Sequence, residues 1–150
     1  MSEPKFSTHL TKTYPDADNT EVTFHKIEAA DTIILNVLTN GIADTTFELP
    51  LNSQHSINIL SNLSNFEDDE EKMGIEPRVI VGDHNNLKIQ VVASQIGKLL
   101  LSNMSEPKSV ILSIGSRWFG KSTETNDEDF KKLMFVLTSV NELLAQSKAQ

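Results

Sequence analysis

Residues Gly115-Ser116-Arg117-Trp118-Phe119-Gly120-Lys121-Ser122 spell the phosphate-loop pattern G-x-x-x-x-G-K-[ST], directly after the apolar run 110–114. Such a loop works when backbone amides cradle phosphates, the lysine reaches the terminal groups, the hydroxyl holds magnesium and a helix begins on the lysine. Here the helix start signal comes later, at Thr125, with Glu128 three residues on in a capping-box pattern. Glu124, Asp127, Glu128 and Asp129 also place negative charge where a nucleotide would bring more. No further strand follows to supply a magnesium-binding acid. The nearest apolar strand ending in aspartate, Val79-Ile80-Val81-Gly82-Asp83, lies upstream. A nucleotide enzyme using 115–122 is therefore an alternative and not the leading expectation.

Other catalytic groups are sparse. Neither H-E-x-x-H nor G-x-S-x-G occurs, and there is no cysteine to act as nucleophile or thiolate ligand. His9, His25, His55 and His84 are scattered and never at i, i+4 spacing, so neither a metal nor a cofactor is expected. Asp83 beside His84 could orient an imidazole as a general base. In the run Gly-Asp-His-Asn-Asn, the same residues are ordinary turn and cap formers, and that explanation suffices. The remaining candidate is a binding surface. Arg117, Trp118, Phe119 and Lys121 put an aromatic pair and positive charge in one glycine-bounded loop, the combination enriched at interface hot spots. The competing explanation is that Trp118 and Phe119 fold back to cover the sheet edge.

Composition narrows the classes further. A chain of 150 residues fits one domain able to bury its own core. Thirteen basic against 21 acidic residues give a formal charge of −8, which disfavours nucleic acid and anionic lipid and favours a basic protein partner. The start, Met1-Ser2-Glu3-Pro4-Lys5, lacks the layout of a signal peptide, and no apolar run is long enough to span a bilayer. The absence of cysteine suits a reducing compartment. A soluble protein of the cytoplasm, or also of the nucleus, is expected.

The elements that must position these residues follow from periodicity. Residues 1–19 are polar, with Pro4 and Pro15 and no apolar period, and are expected to form a flexible tail ahead of one domain at 20–147. Val22 and Phe24 alternate with Thr23 and His25 as in a half-buried strand. In 32–38, Ile33, Leu35 and Val37 take one face and Ile34 and Leu38 the other, the mark of a central strand. Asn40-Gly41 is a hairpin signal, and Thr45, Phe47 and Leu49 alternate after it, so the three strands read as an antiparallel meander. Residues 50–77, with Glu67-Asp68-Asp69-Glu70-Glu71, read as a solvated acidic loop. The chain re-enters the core at 78–81, then Leu87, Val91, Val92, Ile96, Leu99 and Leu100 show helical spacing, although Leu87, Ile89 and Val91 also alternate like a strand. A strand at 109–114 and a terminal amphipathic helix at about 126–146 complete the chain. On that helix Phe130, Leu133, Met134, Leu137, Val140 and Leu144 form one stripe, with Phe135, Val136 and Leu143 outside it. The fold class expected is α+β: one domain with an antiparallel meander sheet and two main helices. Two helices can hardly cover both faces of such a sheet, so a partner subunit is expected.

This order of elements resembles the proteasome assembly chaperones, specifically the small third and fourth members that act as a pair, the third most closely. The likeness lies in Thr20-Glu21-Val22 opening a strand, 33–38 followed by a glycine turn, Phe47-Glu48-Leu49-Pro50 closing the next strand, and 79–82 leading into the helix at 87–100. It spans most of residues 20–145. The acidic loop at 66–76 and the long Trp118 loop depart from the compact animal form and look more like a fungal version. The resemblance implies a non-enzymatic protein that pairs with a second small chaperone of similar fold, binds a subunit of the 20S proteasome α-ring, and leaves before maturation. A generic interaction module of a scaffold or trafficking complex is a further alternative.

Overall fold

The structure, a computed structural model, describes residues 7–52, 76–104, 106–120 and 124–148. Among the described residues six strands form a single sheet: β1 (Ser7–Thr13), β2 (Glu21–Glu28), β3 (Thr32–Thr39), β4 (Thr45–Leu49), β5 (Arg78–Val81) and β6 (Ser109–Ile114). Their spatial order is β1-β2-β3-β6-β4-β5. Two helices among the described residues, α1 (Leu87–Ser102) and α2 (Asp127–Lys148), join it in an α+β domain.

The antiparallel meander exists, but it is displaced by one strand. β1 pairs with β2 from Ser7↔Ile27 to Thr13↔Glu21, and β2 pairs with β3, so the meander is β1-β2-β3. The expected flexible tail at 1–19 thus contains an edge strand. An edge strand can bury little and still pair: in β1 only Thr8 is buried and Leu10 half-buried, and threonine-rich segments fit a pleated surface. The turn that follows is closed by the Asp16 carboxylate, which accepts the Thr20 amide at 3.0 Å and its hydroxyl at 2.9 Å.

β4 does not pair with β3. Asn40 and Gly41 do adopt the positive φ that the turn signal requires, 50° and 79°, and Thr39 bridges Ile42. Beyond that bridge the chain peels away, because β6 enters between β3 and β4, parallel to β3 and antiparallel to β4. The sheet is therefore mixed, not purely antiparallel, and the connection from β3 to β6 includes the helical crossover that a parallel pair requires. β6 takes the central place because Val110, Leu112 and Ile114 are all fully buried there. β5, expected in the core, is instead the far edge, with Ile80 and Val81 more than half exposed.

The pairing registers align rows of side chains across the sheet. Leu10, Phe24, Val37, Ile114 and Thr45 form one row on the helix-covered face, with Leu35, Leu112 and Phe47 in the next. Onto these α1 packs Ile89, Val92, Ile96 and Leu100, which settles its ambiguous start as helix. α2 supplies Val136, Val140, Leu143 and Leu144. The buried side of α2 is thus turned toward Val136 and Leu143, and Phe130 and Met134 of the expected stripe stand 63% and 45% exposed. The opposite face of the sheet carries Ile27, Ile34 and Ile111 in one row and His25, Asn36, Ser113 and Thr46 in another, and among the described residues neither helix covers it.

Candidate functional site

The phosphate-loop pattern folds into a structural turn. The Gly115 amide donates to the Val37 carbonyl at 3.1 Å, and the Ser116 amide to the Asp44 carboxylate at 2.8 Å. Phe119 and Gly120 turn their amides back on the Ser116 carbonyl at 3.1 and 3.2 Å. Asp44 loses ionisation ease by burial, but the Ser116 amide and hydroxyl and the Thr45 hydroxyl outweigh that and hold its carboxyl below the usual range. Four amides of the pattern, those of Gly115, Ser116, Phe119 and Gly120, are therefore already engaged, one of them by an anion of the protein itself. Lys121, Ser122 and Thr123 lie outside the described residues, and α2 begins only at Asp127. Its cap is Asn126, one residue beyond the expected Thr125. Asn126 Oδ1 accepts the Asp129 amide at 2.9 Å while Asp129 Oδ2 accepts the Asn126 amide at 3.1 Å, a reciprocal box built from Asn and Asp.

Of the four expected partner-binding residues, Phe119 is buried and Trp118 is half-buried. Trp118 meets Tyr14 and Phe119 at 5.0 Å between ring centroids, both edge-on, and Phe135 at 6.1 Å. Lys132 Nζ donates to the Trp118 carbonyl at 2.7 Å and lies 5.4 Å from the centroid of its ring. Tyr14 in turn donates its hydroxyl to Glu128 at 2.8 Å, and burial with that bond pushes its pKa up to about 12. The Asp16 carboxyl is held below its usual range, first by the Thr20 amide; the Trp118 indole N–H adds to this without closing a hydrogen bond of good geometry. The aromatic pair thus folds inward, tying the loop to the β1–β2 turn and to α2. Arg117 alone projects outward, its side chain 85% exposed and 3.8 Å from Asp44. Lys121 lies outside the described residues.

Asp83 and His84 also serve a turn. Asp83 Oδ1 accepts the Asn85 amide at 2.8 Å, and the His84 carbonyl accepts from Gln90 at 2.8 Å. His9 and His25 face each other across β1 and β2 on the uncovered side of the sheet, and His55 lies outside the described residues, as does most of the acidic loop at 50–77.

Two features escaped sequence reasoning. One is the ion pair between Lys88 Nζ of α1 and Asp129 Oδ2 of α2 at 2.9 Å, with both side chains nearly buried. Burial resists the Asp129 charge, but Lys88 and the Asn126 amide overcome it, and its carboxyl sits below the usual range. The other is the groove over that pair, about 280 Å³, walled by Leu87, Val91, Val92, Phe119, Phe130 and Leu133. The available signal was the second apolar side of α2, since Phe130 and Met134 cannot share one buried face with Val136 and Leu143.

The sequence model of the 20S proteasome chaperone assembly proteins 3 and 4 matches residues 1–141. The chain belongs to this family. Proteasome chaperone 3 of Saccharomyces cerevisiae is 27% identical over 179 aligned positions, covering 97% of this chain and all of the yeast protein. A chain in the crystal structure of a chaperone complex for yeast 20S proteasome assembly superimposes with a TM-score of 0.68 at 24% identity, covering 93% of this chain and 99% of that one. Family membership agrees with a mixed sheet flanked by two helices among the described residues, and it lends no support to the phosphate-loop enzyme or the generic scaffold module.

Proposed function

We propose that this protein is one subunit of a small heterodimeric chaperone that binds an α-ring subunit of the 20S proteasome, promotes ring assembly, and carries out no catalysis. Its place of work on this reading is the cytoplasm or nucleus, in keeping with a cysteine-free sequence. The observation that carries the proposal is the match to the assembly-chaperone family across residues 1–141, joined to a sheet face that neither helix covers among the described residues. That face suits a second subunit of similar fold. Ile27, Ile34 and Ile111 form an apolar row across three adjacent strands, which a matching sheet would remove from water.

Within the 115–125 loop, Arg117 is the residue offered to the client, while Trp118 and Phe119 fix the loop's shape from beneath. Co-expression with the paired chaperone subunit tests the proposal. A one-to-one complex is expected by size exclusion with mass measurement, and it should capture a 20S α-ring subunit. Ile34→Glu should release the partner subunit, and Arg117→Glu should weaken client capture with the pair intact. A stable monomer that ignores both the paired subunit and every α-ring subunit would refute the assignment.

A further inference from the structure

The helix side of the domain holds a second apolar surface, remote from the uncovered sheet face. Leu87 and Val91 on α1 are each 56% exposed and Phe130 on α2 is 63% exposed, and all three line the groove of about 280 Å³ between the helices. Large apolar side chains clustered at a groove on a protein that otherwise buries its core mark an interaction site. The charged and amide side chains of the lining are already engaged. Lys88 and Asp129 neutralise each other at 2.9 Å, Asn86 Oδ1 accepts the Ile89 amide at 3.2 Å, and Asn126 caps α2. A guest entering the groove therefore meets apolar walls and needs to bring no polar group with it.

The rim supplies the second requirement. Exposed Asp127 opens α2, exposed Glu124 precedes it, and Asp83 stands in the turn leading into α1, on a chain of formal charge −8. With Lys88 engaged by Asp129, the charges that Asp127 and Asp83 set beside the lining are negative. We propose that this groove seats a large apolar side chain from a client segment whose flanking residues are lysine or arginine. The apolar anchor would supply affinity, and the basic flanks would supply orientation and rate of encounter. This inference rests on the assembly-chaperone reading. It adds that client and partner subunit occupy opposite sides of the domain and bind at the same time.

The test uses the purified heterodimer and individually purified 20S α-ring subunits, with binding followed by biolayer interferometry. Phe130→Asp and Val91→Asp should keep the partner subunit and the melting temperature, because both side chains project into solvent, and should weaken client binding by more than about tenfold. Phe130→Ala, a milder change, should weaken it in the same direction. Asp127→Lys should weaken it several-fold, and wild-type affinity should fall as salt rises. Wild-type binding matched within about twofold by both aspartate variants would overturn the groove and leave the chaperone assignment standing. Tighter binding by Asp127→Lys would overturn the basic-flank chemistry. Loss of self-association in Phe130→Asp, with client binding intact, would identify the occupant as a second copy and refute the inference. Failure of the wild-type pair to bind any α-ring subunit would remove the function and the groove together.

Discussion

The Asp44 carboxylate accepts the Ser116 backbone amide at 2.8 Å, so the anion that this amide meets is one the protein supplies itself. A phosphate approaching the same amide would have to displace a carboxylate already favoured in its charged form. Titration of Mg-ATP or Mg-GTP should show no saturable binding. Asp44→Ala should not create a site either, and should cost about 1–3 kcal/mol of stability, because the Ser116 amide loses its partner in a partly buried place. Micromolar nucleotide affinity that disappears in Lys121→Ala would reverse this conclusion.

The two glycines of the pattern serve different ends. A Cβ on Gly115 would collide with the Thr39 side chain and approach the Ile42 carbonyl to 2.7 Å, whereas Gly120 has φ +84° and open space around it. Gly115→Ala should therefore displace the 39–42 turn and lower the melting temperature sharply. Gly120→Ala should cost only about 1–2 kcal/mol of backbone strain. Equal and small losses in thermal melts of the two variants would show that the close approach at Gly115 is not real.

Trp118 is a packing residue before it is anything else. Trp118→Ala opens a hole between Tyr14, Phe119 and Phe135 and should destabilise the domain by about 3 kcal/mol, the lower end for a large aromatic because the ring is only half-buried. Trp118→Phe should recover most of that. Any loss of client binding in Trp118→Ala must be judged against Arg117→Glu, which should leave the urea midpoint unchanged.

Stability should fall in acid and in strong alkali for separate reasons. Asp16, Asp44 and Asp129 have carboxyls below their ordinary 3.8, so their folded states hold fewer protons than the unfolded chain, and their contribution is complete above that value and lost as pH drops below it. Tyr14 is the reverse: raised from 10.0 to about 12, it contributes fully below pH 10 and ceases to contribute as pH climbs through 12. Urea midpoints measured across pH should show both limbs. Tyr14→Phe should flatten the alkaline one, and Asp129→Asn should reduce the acid one while costing about 3 kcal/mol at neutral pH, because Lys88 is left buried without a counter-charge.

Local pattern was enough to find β3, since Ile33, Leu35 and Val37 alternate with Ile34, and it was enough to find both helices. It was not enough for β1, where a single half-buried leucine leaves no period to detect. Nor could it place β6 between β3 and β4, because pairing between segments more than 70 residues apart leaves no mark on either. The face of α2 was ambiguous for a related reason. Val136 and Phe130 both belong to apolar series, and only the sheet beneath decides which is buried. The groove went unseen with it. Of the two readings of Trp118 and Phe119, hot spot or fold-back, neither anticipated Tyr14, whose ring could join theirs only once 7–13 was recognised as a strand.

The parallel seam between β3 and β6 also dictates an order of events during synthesis. A ribosome that has released β1, β2 and β3 has produced a meander whose inner edge, at Ile33–Val37, must wait for residues 109–114. At translation rates of about 5–20 residues per second, that edge stays unpaired for seconds. An open, apolar strand edge is a template for the wrong neighbour. The nascent protein thus passes through a window of risk of self-aggregation, closed only when its own sixth strand arrives.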